Sequence, residues 1–267
     1  MLYGAGPMDR GKVRFVLHRP SSAENVGAAA RALKNFGFGR LAVVAPPAWA
    51  GLPRTGGEGT AREDVLARAR RLARRAADVL ERAEIHGDLR AAVGAATWVC
   101  GTTSRTIEGR PQLDPRALAA EVARRTATGE VAVVFGEERR GLSDAELALC
   151  DAVCTIPTDG AYDSMNLAQA VAVIAYELGR APPPAAPPPA EPARRETVEA
   201  LFGALRVLLA RAGYLNPQNP DAILAEWRRI LARAEPTQRE VELLAAAVRA
   251  VDRLVRERGG GPAGTAG

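Results

Sequence analysis

Residues 135–142 read Phe-Gly-Glu-Glu-Arg-Arg-Gly-Leu, and residues 156–167 read Ile-Pro-Thr-Asp-Gly-Ala-Tyr-Asp-Ser-Met-Asn-Leu. An apolar run, Val131 to Phe135, leads into the first segment, and a shorter one, Val153 to Ile156, leads into the second. Glycine-framed loops at the ends of buried strands are how α/β proteins build small-molecule pockets, because backbone groups can approach a ligand there. Gly136 and Gly141 have the spacing of a phosphate-binding P-loop, but Leu142-Ser143 stands where Lys-Ser/Thr is required, which argues against an NTPase. No G-x-G-x-x-G follows the first strand, which argues against a dinucleotide site. On these residues alone, turn chemistry is an equally good account of the two glycines.

A third segment, Asn25-Val-Gly-Ala-Ala-Ala-Arg31, reads as helix. Its spacing places Gly27, Arg31 and Lys34 along one face, with Val26, Ala29, Ala30 and Leu33 opposite. A mid-helix glycine costs about 1 kcal/mol relative to alanine, so close backbone approach at Gly27 is the expected compensation. Packing of Gly27 against a strand, with Arg31 simply solvated, is the plainer alternative.

The elements that would position these segments alternate. Val13–Leu17 is a strand and Ser21–Phe36 the helix after it, with capping-box spacing at Ser21 to Glu24 and Gly37 past its end. Leu41–Val44 is a second strand, closed by Pro46-Pro47. Residues 62–82 predict one arginine-rich helix with Val65, Ala69, Leu72, Ala76 and Val79 on its apolar face. A strand over 97–101, a helix over 115–125, the strand at Val131 and a nearly all-apolar helix, Asn166 to Leu178, complete an α/β unit with a parallel sheet. Ser143 to Glu146 has the spacing of a capping box for a helix after the first loop.

Seven prolines fall within residues 181–192, marking a polyproline linker. Three amphipathic helices follow, over 195–212, 220–233 and 237–257. The expected organisation is therefore an α/β domain over 12–180, a linker over 181–193, and a small all-α domain over 194–258. Residues 1–11 and 259–267 are expected to be flexible tails.

Composition narrows the function classes. The chain has 267 residues, 47% of them hydrophobic, with no apolar run near the roughly 18 residues of a membrane span. Met1 to Lys12 lacks the apolar stretch of a signal peptide, so a cytoplasmic protein is expected. Cys100, Cys150 and Cys154, with only His18 and His86 available, make a poor metal set and suit reduced thiols. The net charge of +5 permits a polyanion partner, and nearly all the positive charge is arginine, since Lys12 and Lys34 are the only lysines.

Taken together, Ser22–Arg31, Phe135–Leu142 and Ile156–Leu167 occur in the order and spacing of the three motifs of the SPOUT (SpoU–TrmD) methyltransferases. The chain resembles that superfamily from about Val13 to Leu178. Within it, the segment Trp227-Arg-Arg-Ile-Leu-Ala-Arg-Ala234 and the following helix resemble the helical tail of the TrmJ-type tRNA ribose 2′-O-methyltransferases. The resemblance implies a parallel-sheet SPOUT fold with a C-terminal trefoil knot within about 131–178, S-adenosylmethionine as cofactor, a homodimer, and tRNA spanning both subunits. No membrane or metal partner is implied.

Carried over by motif, the cofactor pocket comprises Thr102, Thr103, Ser104, Gly136, Ile156, Asp163, Ser164 and Met165. Arg31 matches the family's catalytic arginine, and Ser164 and Asn166 match its S-x-N. A guanidinium stays protonated in water and is a poor direct base, so the expected role of Arg31 is to hold a substrate phosphate and stabilise a developing alkoxide. Asn25, Glu138 and Arg139 are expected to brace the loops or position RNA. Asp163 stands where relatives often carry Ser, and Met165 where they carry Leu. The implied activity is ribose 2′-O-methylation of tRNA nucleotide 32 in the anticodon loop. Another tRNA position, ribosomal RNA, a non-catalytic RNA binder and a metabolite-sensing module are the competing functions.

Overall fold

The computed structural model describes residues 8–44, 60–159, 164–181 and 192–259. Pro46-Pro47, Asp163, most of the proline-rich segment and most of both tails lie outside the described residues. The chain divides into two compact units, Met1–Ala190 and Glu191–Gly267.

The first unit begins with β1 (Val13–His18), α1 (Ala23–Asn35), β2 (Arg40–Val44), α2 (Thr60–Ala73), α3 (Ala77–Glu81), β3 (Glu84–His86) and α4 (Leu89–Val93). It continues with β4 (Trp98–Thr102), β5 (Gln112–Leu113), α5 (Pro115–Arg125), β6 (Val131–Phe135), α6 (Asp144–Leu147), β7 (Ala152–Cys154) and α7 (Leu167–Gly179). Among the described residues seven strands form one sheet in the order β3-β2-β1-β6-β4-β7-β5, and every pairing in it is parallel.

The central strands β1 and β6 are buried along their whole length, which is why they read as unbroken apolar runs. Phe15, Leu17 and Phe135 face one core layer with Val26 and Leu33 of α1 and Ile174 of α7. Val16 and Val134 face the other, with Leu89 and Val93 of α4 and Leu147 of α6. At the N-terminal edge of the sheet, buried Arg14 donates to Glu130 at 2.6 Å and to Glu84 at 2.7 Å, compensating its charge.

Two sequence expectations are corrected here. The helix expected over 62–82 is broken: α2 ends at Ala73, Arg74 adopts φ 54°, and a 3-10 turn over Arg74–Ala76 leads into α3. Leu72, in the last turn of α2, is 37% exposed and so off the expected apolar face. Ser22, not Ser21, caps α1, accepting from the Asn25 amide at 3.2 Å. Of the face that carries Gly27, Arg31 and Lys34, Gly27 is buried, and Lys34 donates to Asp78 at 2.5 Å and to the Arg75 carbonyl at 2.9 Å.

Gly27 is packed against a helix rather than a strand. A Cβ there would lie 2.0 Å from the Ala69 carbonyl oxygen of α2, so the two helices meet backbone to backbone. Gly27→Ala must push them apart, and the expected cost is about 1–3 kcal/mol. Urea unfolding of the variant should show a lower midpoint; an unchanged midpoint would contradict the close approach.

The second unit contains α8 (Arg195–Arg211), α9 (Asp221–Ala234) and α10 (Gln238–Gly259). Its core joins Leu201, Phe202 and Leu205 of α8 with Leu224 of α9 and Val241 and Ala245 of α10. Arg228 of α9 lies over the Phe202 ring, 4.1 Å from its centroid, and also pairs with Glu199. Among the described residues no helix is long and apolar enough to cross a membrane.

Candidate active site

Parallel strands present their C-terminal ends on one side of the sheet, and in open α/β sheets ligands bind outside those ends. Here β4, β6 and β7 end together, with Gly101 in register with Val134 and Thr102 with Cys154. Their loops enclose a cleft of about 340 Å3. Thr102, Thr103, Ser104, Gly136, Ile156, Ser164 and Met165 all line it, whereas Asp163 lies outside the described residues. Arg105, Arg140 and Thr158 line it too and were not expected from the sequence.

The cleft walls are held by their own hydrogen bonds. The Thr102 hydroxyl donates to the Val134 carbonyl at 3.1 Å, tying β4 to β6. The Thr103 amide donates to the Cys154 carbonyl at 3.0 Å, and the Thr155 hydroxyl donates to the Thr103 carbonyl at 2.8 Å. Thr102 and Thr103 therefore shape the pocket largely by bracing it. Cys154 also lines the cleft, but burial pushes its thiol up to about 12, leaving it protonated and a poor nucleophile at neutral pH.

The loop after β6 turns tightly. The Gly141 amide donates to the Glu137 carbonyl at 2.8 Å, and a Cβ on Gly136 would lie 2.2 Å from the Gly141 carbonyl carbon. Beyond the turn, Leu142 is buried and Ser143 caps α6 in a complete capping box with Glu146. Arg105 fastens this end by donating to the Leu142 carbonyl at 2.7 Å and to Asp144 at 2.9 Å. Glu146 also meets buried His18 of β1, with 2.6 Å between Oε1 and Nε2. Burial works against the charge of Glu146, but the Ser143 amide and His18 outweigh it and hold the carboxyl below its usual range.

One hydrogen-bonded chain joins the three segments singled out in the sequence. Asn166 donates from Nδ2 to Asn25 Oδ1 at 3.0 Å, and Asn25 donates from Nδ2 to Glu138 Oε1 at 2.8 Å. The Ser21 amide donates to the other oxygen of Glu138 at 2.9 Å. Asn166 also caps α7, its Oδ1 accepting from the Ala168 amide at 2.9 Å. Ser164, two residues before that cap, is thereby set on the cleft wall.

Burial alone would raise the Glu138 carboxyl, but the bonds from Asn25 and Ser21 more than offset it and its value lies below the ordinary 4.5. A depressed carboxyl stabilises the fold above its unfolded value, and that contribution is lost as pH falls through the folded one. Glu138→Gln should therefore cost on the order of 1 kcal/mol at pH 7. The gap to the unaltered protein should close as pH drops below about 4.5. Chemical denaturation in steps from pH 7 down through the acid range below about 4.5 checks this; a gap independent of pH would contradict it.

Arg31 and Arg139 complete the expected set. Both are exposed, and among the described residues neither makes a side-chain hydrogen bond or ion pair. Arg139 lines the cleft; Arg31, two turns along α1 from Ser22, does not. A single chain thus brings together every described member of the expected set except Arg31. The exposed guanidinium of Arg139 on a polar, glycine-walled cleft suits an anionic substrate approaching a bound small molecule.

Residues 12–176 match the SpoU rRNA Methylase family, which covers more than half of the chain. The chain belongs to the SpoU methylase family. Residues 196–260 match a second family, the tRNA methyltransferase TrmJ C-terminal domain, and so fall on the three-helix unit of this SpoU methylase. It is 33% identical over 243 residues to the tRNA (cytidine/uridine-2′-O-)-methyltransferase TrmJ of Cronobacter sakazakii, covering 87% of this chain and 92% of that one. The protein of the same name from Yersinia pestis strain Pestoides F is 32% identical over 265 residues, covering 96% and 97%. Among solved structures, TrmJ from Z. mobilis ZM4 superposes with a TM-score of 0.74 at 30% identity, covering 90% of this chain and 98% of that one. The matched segment 12–176 takes in every strand and the cleft, so the expected parallel-sheet fold and its helical tail both hold for this SpoU methylase.

Proposed function

We propose that the chain is an S-adenosylmethionine-dependent RNA ribose 2′-O-methyltransferase acting on tRNA, at nucleotide 32 of the anticodon loop. The observation that carries the reading is the hydrogen-bonded chain Asn166–Asn25–Glu138, which draws the three motif segments around one cleft with Ser164 on its wall. The names of the relatives, tRNA (cytidine/uridine-2′-O-)-methyltransferases, support the RNA and the atom modified.

The cleft fits the cofactor. Its volume of about 340 Å3 lies within the range of small-molecule pockets. Ile156, Met165 and Leu167 give it an apolar wall for a base, and the Thr103–Ser104 and Gly136–Gly141 backbones give it a polar one. A side chain at Gly136 would collide with the Gly141–Leu142 backbone, so the tight loop that lines the cleft depends on glycine there. When bound there, S-adenosylmethionine supplies an electrophilic methyl carbon. Asp163 is part of this proposed pocket through the motif alone.

The chain's own residues would do the rest. A ribose hydroxyl is a weak nucleophile at neutral pH, so the protein must orient it and favour loss of its proton. Ser164 and Asn166 hold the hydroxyl and the loop that presents it. Arg31 grips the neighbouring phosphate and stabilises the developing alkoxide, the proton leaving to phosphate or water. Arg139 steers the RNA strand over the rim. Arg31 lies off the cleft of its own chain, which supports a homodimer in which the tRNA spans both subunits. The knot within 131–178, the domain limits 12–180 and 194–258 and a cytoplasmic location belong to the same proposal.

Titration with labelled S-adenosylmethionine tests the pocket. One saturable site per chain, competed by S-adenosylhomocysteine, is expected; absence of binding would remove the cofactor and the reaction with it.

A further inference from the structure

Three described non-glycine residues have left-handed backbone: Arg19 (φ 50°), Arg74 (φ 54°) and Glu235 (φ 44°). Arg74 and Glu235 directly follow α2 and α9, where a left-handed residue commonly closes the last turn of a helix. Arg19 has no helix end behind it. It follows β1 and precedes Pro20, and a residue before proline is pushed towards extended backbone. Its amide donates to the Val44 carbonyl at 2.7 Å, which pins the turn. Such strain persists only where the surroundings enforce it, and it concentrates at ligand clamps.

The side chain so placed is exposed and, among the described residues, makes no hydrogen bond or ion pair. Several other arginines of this unit, Arg14, Arg40, Arg68 and Arg105, pair with carboxylates. Two residues beyond Arg19, the Ser21 amide holds Glu138. Next to Glu138, Arg139 and Arg140 line the cleft, exposed and likewise without a partner among the described residues. Glu138 spends its charge on Ser21 and Asn25, so it leaves three guanidiniums on the two segments it joins without a counter-charge of their own.

We propose that Arg19 is a phosphate-binding residue for the RNA substrate, gripping a backbone phosphodiester at the rim of the cleft. The proposal rests on the methyltransferase reading above. It places a substrate contact in the short turn between β1 and the first motif, held by strained backbone at the cost of some stability.

Arg19→Gly separates the two consequences. Glycine adopts positive φ freely, so the full-length variant should melt at a higher temperature than the parent. Yet with an unmodified tRNA transcript its affinity should fall about fivefold near 0.1 M salt. The slope of log K against log[NaCl] should flatten by about 0.7–0.9, the signature of one lost phosphate contact. KM for tRNA should rise while kcat and S-adenosylmethionine affinity stay put. Arg19→Lys should keep the parental slope.

An unchanged slope and KM in Arg19→Gly, with an active parent, would overturn the Arg19 proposal alone. A Gly variant that melts lower and loses affinity would also overturn it, because Arg19 would then be structural. A parent protein with neither salt-sensitive tRNA binding nor methyl transfer would remove the underlying function, and this proposal with it.

Discussion

Arg31→Ala is expected to lower methyl transfer by at least about a thousandfold while leaving S-adenosylmethionine affinity nearly intact. The size follows from the role: removing one preoriented donor that stabilises an oxyanion costs about 10²–10³ in rate, and Arg31 is asked to hold a phosphate as well. The separation of effects follows from the structure. Arg31 is exposed, makes no hydrogen bond or ion pair among the described residues, and is not part of the cleft wall, so its loss should disturb neither the fold nor the pocket. Arg31→Lys should recover only a fraction of the activity, because an ammonium keeps the charge but not the two-pronged grip on phosphate. Single-turnover transfer and cofactor titration on the same preparations check this. A large loss of cofactor binding in Arg31→Ala would contradict the role.

Gly136→Ala is expected to act in the opposite way, on the pocket first. Its Cβ would fall 2.2 Å from the Gly141 carbonyl carbon and 2.5 Å from the Leu142 nitrogen, both backbone atoms. Neither can swing aside as a side chain could. The turn must open, against Leu142 in the core, the Ser143–Glu146 capping box and the two Arg105 bonds that hold its far end. Overpacking of this kind typically costs about 1–3 kcal/mol. If the distortion is taken up by the loop, S-adenosylmethionine affinity falls roughly tenfold to a hundredfold, with the melting temperature lowered as well. Unchanged cofactor affinity would mean that the Gly136–Gly141 backbone does not cradle the ligand.

The parts of the molecule legible in the sequence are those whose signal is local. Val131–Phe135 reads as a buried strand because both its faces are covered. The helix Pro115–Arg125 lies where the sequence places one, over roughly 115–125, and the structure adds its Asp114 cap. Ser143 and Glu146 form the reciprocal cap that their spacing implies. The pocket segments were readable because glycine-framed loops followed apolar strands.

Other features depend on partners far away in the chain. The neighbour that forbids a side chain at Gly27 is Ala69, 42 residues on, and nothing near Gly27 announces it. The edge strands Glu84–His86 and Gln112–Leu113 are too short and too exposed to show an alternating pattern. The break at Arg74 carries no glycine or proline to mark it. Arg105 followed the Thr102–Ser104 strand end directly and could have been taken as part of the pocket, but its partners, Leu142 and Asp144, appear only in the fold. The contact between His18 and Glu146 spans 128 positions and was invisible for the same reason.

The most direct test of the central claim is methyl transfer from labelled S-adenosylmethionine to an unmodified tRNA transcript, with the modified ribose mapped. The account predicts a single 2′-O-methyl group at nucleotide 32, absent when that nucleotide carries a 2′-deoxyribose. Transfer to a base, or no transfer to any tRNA by protein that binds the cofactor, would contradict it.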